Sequence, residues 1–272
     1  MISPALTDTT EPTDTTEPTD TTEATDTTQP ARRPAAGGAD GGTSGALRHV
    51  ADLTDEEILA IDGPDSEQVA PLPWAGPRSE EETALAAEVG LRGLVTHGHL
   101  SADEHGLDIP ADLADALALR FDARAIVYAD HSTRSAQETR VLYLHEEETG
   151  GQVLVETVNG AGVHRFTLGD LDAAATELAT WGVPQQHEGE GRIEGDGLPP
   201  ELAGLQSAVF VDVVTLAGGG DVETRSFTFY RLEDGTLVED LATPGHLDLP
   251  PRTENEVQTR IAHAVRGALL PA

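Results

Sequence analysis

From Ala125 onward, apolar and polar positions alternate with a period of two in short runs, and this alternation twice gives way to a helical period. The first set predicts strands at about 125–130, 139–146, 152–158 and 163–167. Thr167 and Asp170 then open a helix carrying Leu171, Ala174, Ala175 and Leu178 at i, i+3, i+4 and i+7. The second set predicts strands at about 207–216, 222–232 and 236–241, with a fourth at 246–248. Thr253 and Glu256 open its helix, which would bury Val257, Ile261, Ala264, Val265 and Ala268. The two sets share markers. Glu138-Thr139-Arg140 returns 85 positions on as Glu223-Thr224-Arg225, a Val-Glu pair stands in each set at Val155-Glu156 and Val238-Glu239, and each set ends at a proline, Pro184 or Pro271.

Upstream, Thr54 with Glu57 and Ser79 with Glu82 form two capping-box patterns. The first leads a short helix through Ile58, Leu59 and Ile61 that stops at Gly63-Pro64. The second leads a longer helix expected to bury Ala84, Ala87, Leu91, Leu94 and Val95. Pro110 starts a third, with Leu113, Ala116 and Leu117 inward. The alternation of Phe227 and Phe229 puts both rings on one face of a strand, against the closing helix.

Residues 7–30 are a hexad written four times, Thr7-Asp8-Thr9-Thr10-Glu11-Pro12 being the first. It offers nothing to bury against the entropy of ordering it. The expected fold is therefore α+β: two quasi-repeated antiparallel sheet-plus-helix units forming one domain, preceded by helices and a disordered acidic tail. The boundaries read as a tail and linker over 1–47 and a domain over 48–272. Within the domain, 48–120 is the helical part, 121–184 the first unit and 207–272 the second, with a Gly-rich acidic linker over 185–200. About 220 ordered residues bury roughly 70% of their unfolded surface, enough for a core.

Charge narrows the partners. The formal net charge is −33, from 49 acidic residues against 16 basic ones, all of them arginine. Such a surface repels phosphate backbones and anionic lipid, so neither nucleic acid nor a membrane surface is expected as a partner. With no cysteine, disulfides, thiolate metal sites and cysteine nucleophiles are out of reach. The start has neither a basic nor an apolar leader segment, and no run nears the ~18 apolar residues of a membrane helix, so a cytoplasmic protein is expected.

Candidate chemistry is sparse. His97, His99 and His105, with Asp103 and Glu104, have the ligand types for zinc, but they sit in a Gly-punctuated turn and read first as a solvated loop. His145, beside Glu146-Glu147-Glu148, reads as an exposed turn histidine. His131 and Ser132 are adjacent on a strand and point to opposite faces, which discounts a nucleophile–base pair. Gly218-Gly219-Gly220-Asp221 and Asn159-Gly160-Ala161-Gly162 read as hairpin turns. A phosphate cradle would need a following helix and usually a lysine, which the chain lacks. No catalytic residue, cofactor site or cofactor is assigned.

The order of parts resembles the EspG-type chaperones of actinobacterial type VII (ESX) secretion, from about residue 53 to the C-terminus. The markers are Leu53-Thr54-Asp55-Glu56-Glu57, the helix ending Leu91-Arg92-Gly93-Leu94-Val95, and Leu107-Asp108-Ile109-Pro110 leading into Leu113-Ala114-Asp115-Ala116-Leu117. The two sheet-plus-helix units complete the pattern. The resemblance implies a quasi-symmetric α/β domain that binds a helical secretion substrate pair of the PE–PPE type and keeps it soluble until export, without catalysis. The Thr-Asp repeat tail departs from that family's pattern. The expected function is a non-enzymatic, cytoplasmic chaperone or adaptor for a helical protein; the alternative is a metal-dependent hydrolase using the His97/His99/His105 region.

Overall fold

The computed structural model describes residues 46–63, 66, 68–76, 78–103, 106–145, 151–186, 192–193, 198–216, 222–241 and 247–269. The expected tail over 1–47 lies outside these residues save for Ala46 and Leu47, and Leu47 is half-buried against the core.

Ten strands and five α-helices follow one another among the described residues: β1 (Arg48–Thr54), α1 (Asp55–Asp62), α2 (Glu80–Thr96), β2 (Ser101–Asp103), β3 (Gly106–Asp108), α3 (Ala111–Phe121), β4 (Ala125–Thr133), β5 (Gln137–Leu144), β6 (Gln152–Asn159), β7 (Val163–Asp170), α4 (Leu171–Trp181), β8 (Leu205–Leu216), β9 (Val222–Leu232), β10 (Leu237–Asp240) and α5 (Glu254–Arg266). Eight strands form one antiparallel sheet in the order β1-β7-β6-β5-β4-β8-β9-β10, and β2-β3 is a separate hairpin. The fold is α+β, as the alternation in the sequence predicts.

The two units meet at β4 and β8, which pair antiparallel from Ala125↔Thr215 to Thr133↔Ser207. Tyr128 pairs with Asp212, 84 positions on. A repeat offset of 84–85 therefore places an approximate two-fold through that pair. The Glu-Thr-Arg markers obey it. Arg140 reaches Glu177 at 3.0 Å and lies over the Trp181 ring at the end of α4, while Arg225 reaches the Gly267 carbonyl just past the end of α5. The Val-Glu markers do not. Val155 faces the helices α4 and α5, whereas Val238 faces away from them, so these pairs sit on opposite faces and are not equivalent positions.

The fourth strand of the second unit, expected at 246–248, takes another form. Residue 246 lies outside the described residues, and Leu247–Asp248 is not a strand. Chain from Asp248 to Arg252 nevertheless runs beside β10: Leu241 N–H donates to Asp248 O at 2.9 Å, Glu239 N–H to Pro250 O at 3.1 Å and Arg252 N–H to Leu237 O at 2.8 Å. Pro250 and Pro251 have no N–H to return, so the ladder survives only as a bridge between Val238 and Pro251. Prolines at that sheet edge also block further strand addition.

One face of the sheet, here the inner face, carries α4 and α5 packed on each other. Ala174, Ala175 and Leu178 of α4, and Val257, Ile261, Ala264 and Val265 of α5, bury against Val127, Leu142, Val155, Val209, Val211, Val213 and Phe229. Phe227 is half-buried on the same face, under the Arg260 guanidinium. The cap of α4 is Asp170 alone, accepting Ala173 N–H at 2.7 Å; Thr167 stays in β7, because pairing with β6 continues to Gln152↔Asp170.

The outer face of the first unit is covered by α1, α3 and the C-terminal end of α2. Leu53, Ile58, Leu94, Leu113, Ala116 and Leu117 bury against Val141, Tyr143, Leu154, Val158 and Phe166. Thr54, Ser79 and Thr253 each make a two-way capping box at the expected helix starts. The inward stripe expected for α2 is rotated. Ala86, Gly90 and Leu94 are buried, while Ala84, Leu91 and Val95 are exposed. A Cβ on Gly90 would stand 1.8 Å from the Glu56 carbonyl oxygen. α2 thus crosses α1 nearly backbone to backbone, an approach that only its small-residue face permits.

Candidate interaction surface

Beneath the helical layer, Glu156 on β6, His164 on β7 and Tyr143 on β5 point to the outer face and meet Asp55 at the start of α1 and Arg120 at the end of α3. All are buried, and the side chains of Asp55, Glu156 and His164 are 0% exposed. His164 bridges two carboxylates, with Nδ1 2.6 Å from Glu156 and Nε2 2.9 Å from Asp55. Carboxylates only accept, so both ring nitrogens donate and His164 is an imidazolium. Burial alone would push its pKa down, but the hydrogen bonds and charges of Asp55 and Glu156 outweigh it and hold the pKa above the usual histidine value.

The carboxylates behave in mirror image. Burial pushes Glu156 up, yet its bonds with His164 and the Arg120 charge bring it below the usual glutamate value. For Asp55, burial is outweighed by His164 and by the N–H groups of Ala75 and Trp74, at 2.8 and 2.6 Å. Tyr143 donates to Glu156 at 2.5 Å, and burial together with that charge keeps the phenol protonated. Arg120 bonds Glu156, Asp62 and Gln68. This cluster clamps the helices α1 and α3 to the sheet. With its three central side chains sealed from solvent, it has no face to offer a substrate.

The predicted metal candidates are placed differently. His97 caps α2 and its Nδ1 lies 2.8 Å from Glu57, the buried acid of the first capping box. His99 stands edge-on to His97, with ring centroids 6.2 Å apart, and His105 lies outside the described residues. Among the described residues, no group of three or more His, Asp or Glu is arranged to hold a metal ion. His145 is buried, against expectation, with Nε2 2.6 Å from the Leu119 carbonyl; it ties the last turn of α3 to the end of β5. His131 packs edge-on against Trp181 on the inner face. Asn159 closes the β6–β7 turn by accepting from Ala161 and Val163 N–H, while the Gly218–Asp221 turn lies outside the described residues.

Exposed apolar residues lie on α2, at Leu85, Val89, Leu91 and Val95, and on the outer face of the second unit. The approximate two-fold maps the part of the sheet under α1–α3 onto β8–β10. Among the described residues the covering there is partial: Ile193, Leu202 and Leu249 cover the end near Leu205, Ala208, Tyr230 and Val238. Beyond it, Phe210 and Leu216 of β8 and Val222 of β9 are exposed, at 41, 39 and 60%, and Val214 is half-exposed. Phe210 pairs with Asp130 across β4 and with Thr228 across β9. A wall stands beside this floor where Val69, Pro71 and Leu72 flank Tyr128, and together they line a shallow, open groove of about 370 Å³. Sequence reasoning singled out none of these residues; Phe210, out of phase with the buried Val209, Val211 and Val213, was the available signal.

No protein-family model matches the chain, and no curated protein is similar to it. Among the described residues, no helix is long and apolar enough to cross a membrane.

Proposed function

We propose that this chain is a non-enzymatic chaperone or adaptor that holds a helical protein partner on the open half of its sheet. The observation that carries this reading is the unequal covering of two related halves. Three helices bury the outer face of the first unit, whereas its two-fold counterpart leaves Phe210, Leu216 and Val222 exposed. Exposed apolar residues gathered on one sheet face, here interspersed with Asp130, Asp212, Ser226 and Thr228, are what a partner-binding protein keeps available. An α-helix is the element that the first unit shows this kind of sheet accepts. The resemblance to EspG-type chaperones adds a particular partner, a type VII secretion substrate kept soluble in the cytoplasm before export.

The test is co-purification from the native host, comparing the wild type with Leu216→Asp/Val222→Asp. Both positions are exposed, so the variant keeps its fold. The reading expects one helical protein at near-equal stoichiometry with the wild type and its loss with the variant. Equal recovery by both, or recovery of nothing above background by the wild type, overturns it.

A further inference from the structure

The charge of the open surface specifies its occupant further, given the reading of that surface as a docking site. Side chains on its floor are Asp130 and Ser132 of β4, alternate residues of β8 from Phe210 to Leu216, and their partners on β9. Ile126 and Tyr128 lie half-buried against the first unit's core along the β4 side. Asp130 and Asp212 lie on this floor and Asp240 on β10 beside it, while none of these strand positions holds a basic residue. Asp212 is half-exposed and stands directly across from Tyr128. Asp130 accepts from Gln137 and Thr139, and Asp240 from Tyr230. Asp130 follows Tyr128 on the same face of β4 and Asp212 faces it from β8, so the two carboxylates flank one point. Burial pushes the Tyr128 phenol up against its hydrogen bond with Thr139, and both charges add to that shift.

A second copy of the chain would bring the same carboxylates to the same floor, in a protein of net charge −33, and would be repelled. We infer that the occupant is an amphipathic helix whose apolar stripe is flanked by arginine or lysine, set over Asp212 and Asp130. The dimensions agree. Three strands at ~4.8 Å spacing give a floor about 10 Å across, the width of one helix. Seven residues from Phe210 to Leu216 extend it by roughly 20 Å, about 13 residues of helix.

The test uses full-length protein and two fluorescent peptides of about 18 residues, enough to span that floor. Both carry one leucine stripe, flanked by arginine in one and by glutamate in the other, and binding is read by polarisation at physiological salt. The arginine peptide is expected to bind at least about tenfold more tightly, a difference of ~1.4 kcal/mol. Asp212→Lys and Phe210→Ser should each weaken it about tenfold or more, while Asp115→Lys, on the exposed side of α3, should change it less than about twofold. Melting temperatures confirm that each variant folds. Equal binding of both peptides, or equal loss from the lysine at 115 and at 212, overturns the inference, since the attraction is then absent or diffuse. So does failure of the arginine peptide to bind up to about 1 mM. These outcomes leave intact a host partner that the Leu216→Asp/Val222→Asp variant loses, so failure of the basic-helix inference is distinct from failure of the docking surface.

Discussion

Replacing His164 by leucine removes the cation between two sealed carboxylates while keeping most of the side-chain volume. Asp55 Oδ1 and Glu156 Oε1 each lose a charge-assisted hydrogen bond, of 2.9 and 2.6 Å. Such bonds contribute about 1.5–3 kcal/mol apiece, and breaking a buried ion pair from one side costs about 3–5 kcal/mol. Both acids keep other donors: Trp74 and Ala75 N–H for Asp55, Tyr143 and Arg120 for Glu156. These place the loss near the lower end, about 3 kcal/mol. At about 2–4 °C per kcal/mol for a domain of this size, Tm should fall by about 6–12 °C. Thermal and urea unfolding followed by circular dichroism measure it. The triple variant Asp55→Asn/His164→Leu/Glu156→Gln should recover part of the loss, because no buried charge is then stranded. A loss under about 1 kcal/mol for His164→Leu alone would refute the imidazolium bridge.

The same cluster sets a pH dependence. The folded pKa of His164 is raised, so its contribution is complete below the usual histidine value and fades as pH rises through the folded one. Asp55 and Glu156 are lowered, so their contribution is complete above the usual carboxylate values and fades as pH falls through the folded ones. Tm should thus be highest in mildly acidic buffer and decline above neutrality, and His164→Leu should flatten the alkaline decline; equal slopes in both proteins contradict this. Gly90→Ala should destabilise by about 3 kcal/mol or more, since the added methyl meets the Glu56 backbone. Gly93→Ala meets the Glu57 side chain, at 2.8 Å from its carboxylate, rather than a backbone, and should cost less in the same urea titration. Glu239→Gln should cost about 1–3 kcal/mol, because this buried carboxylate is bonded by Arg252 at 2.7 Å and paired with Arg260. A chelator should leave Tm unchanged, as His97 is already engaged by Glu57; a chelator-sensitive Tm with bound metal in elemental analysis would revive the hydrolase alternative.

Sequence periodicity carried far in this chain, and its failures have definite causes. Capping boxes at Thr54, Ser79 and Thr253, and the inward faces of α3, α4 and α5, were legible because each depends on residues within one or two turns. α2 was misread because large apolar residues usually mark the buried face. Here the close crossing against α1 selects Ala86 and Gly90, and Leu85, Val89, Leu91 and Val95 are left outside. β1 went unread because only Ala51 and Leu53 on it are buried, too short an alternation to stand out. The polar cluster was illegible for a different reason. Asp55 and His164 are 109 positions apart, and no local pattern signals that two ordinary polar residues will meet inside a core. For the open surface, the strands could be predicted but not which half the upstream helices would cover.

Because the chain has no cysteine, a single introduced thiol can report directly on the open half of the sheet. Ser226→Cys places a thiol on the exposed outer face of β9, and Thr180→Cys places one on exposed α4 on the other side. Alkylation rates are to be compared with and without the partner co-purified from the host. A helical partner seated on β8–β9 slows the reaction at position 226 and leaves that at 180 unchanged. Slowing at 180 alone, or at neither site in a stable complex, would contradict the docking surface and the chaperone reading built on it.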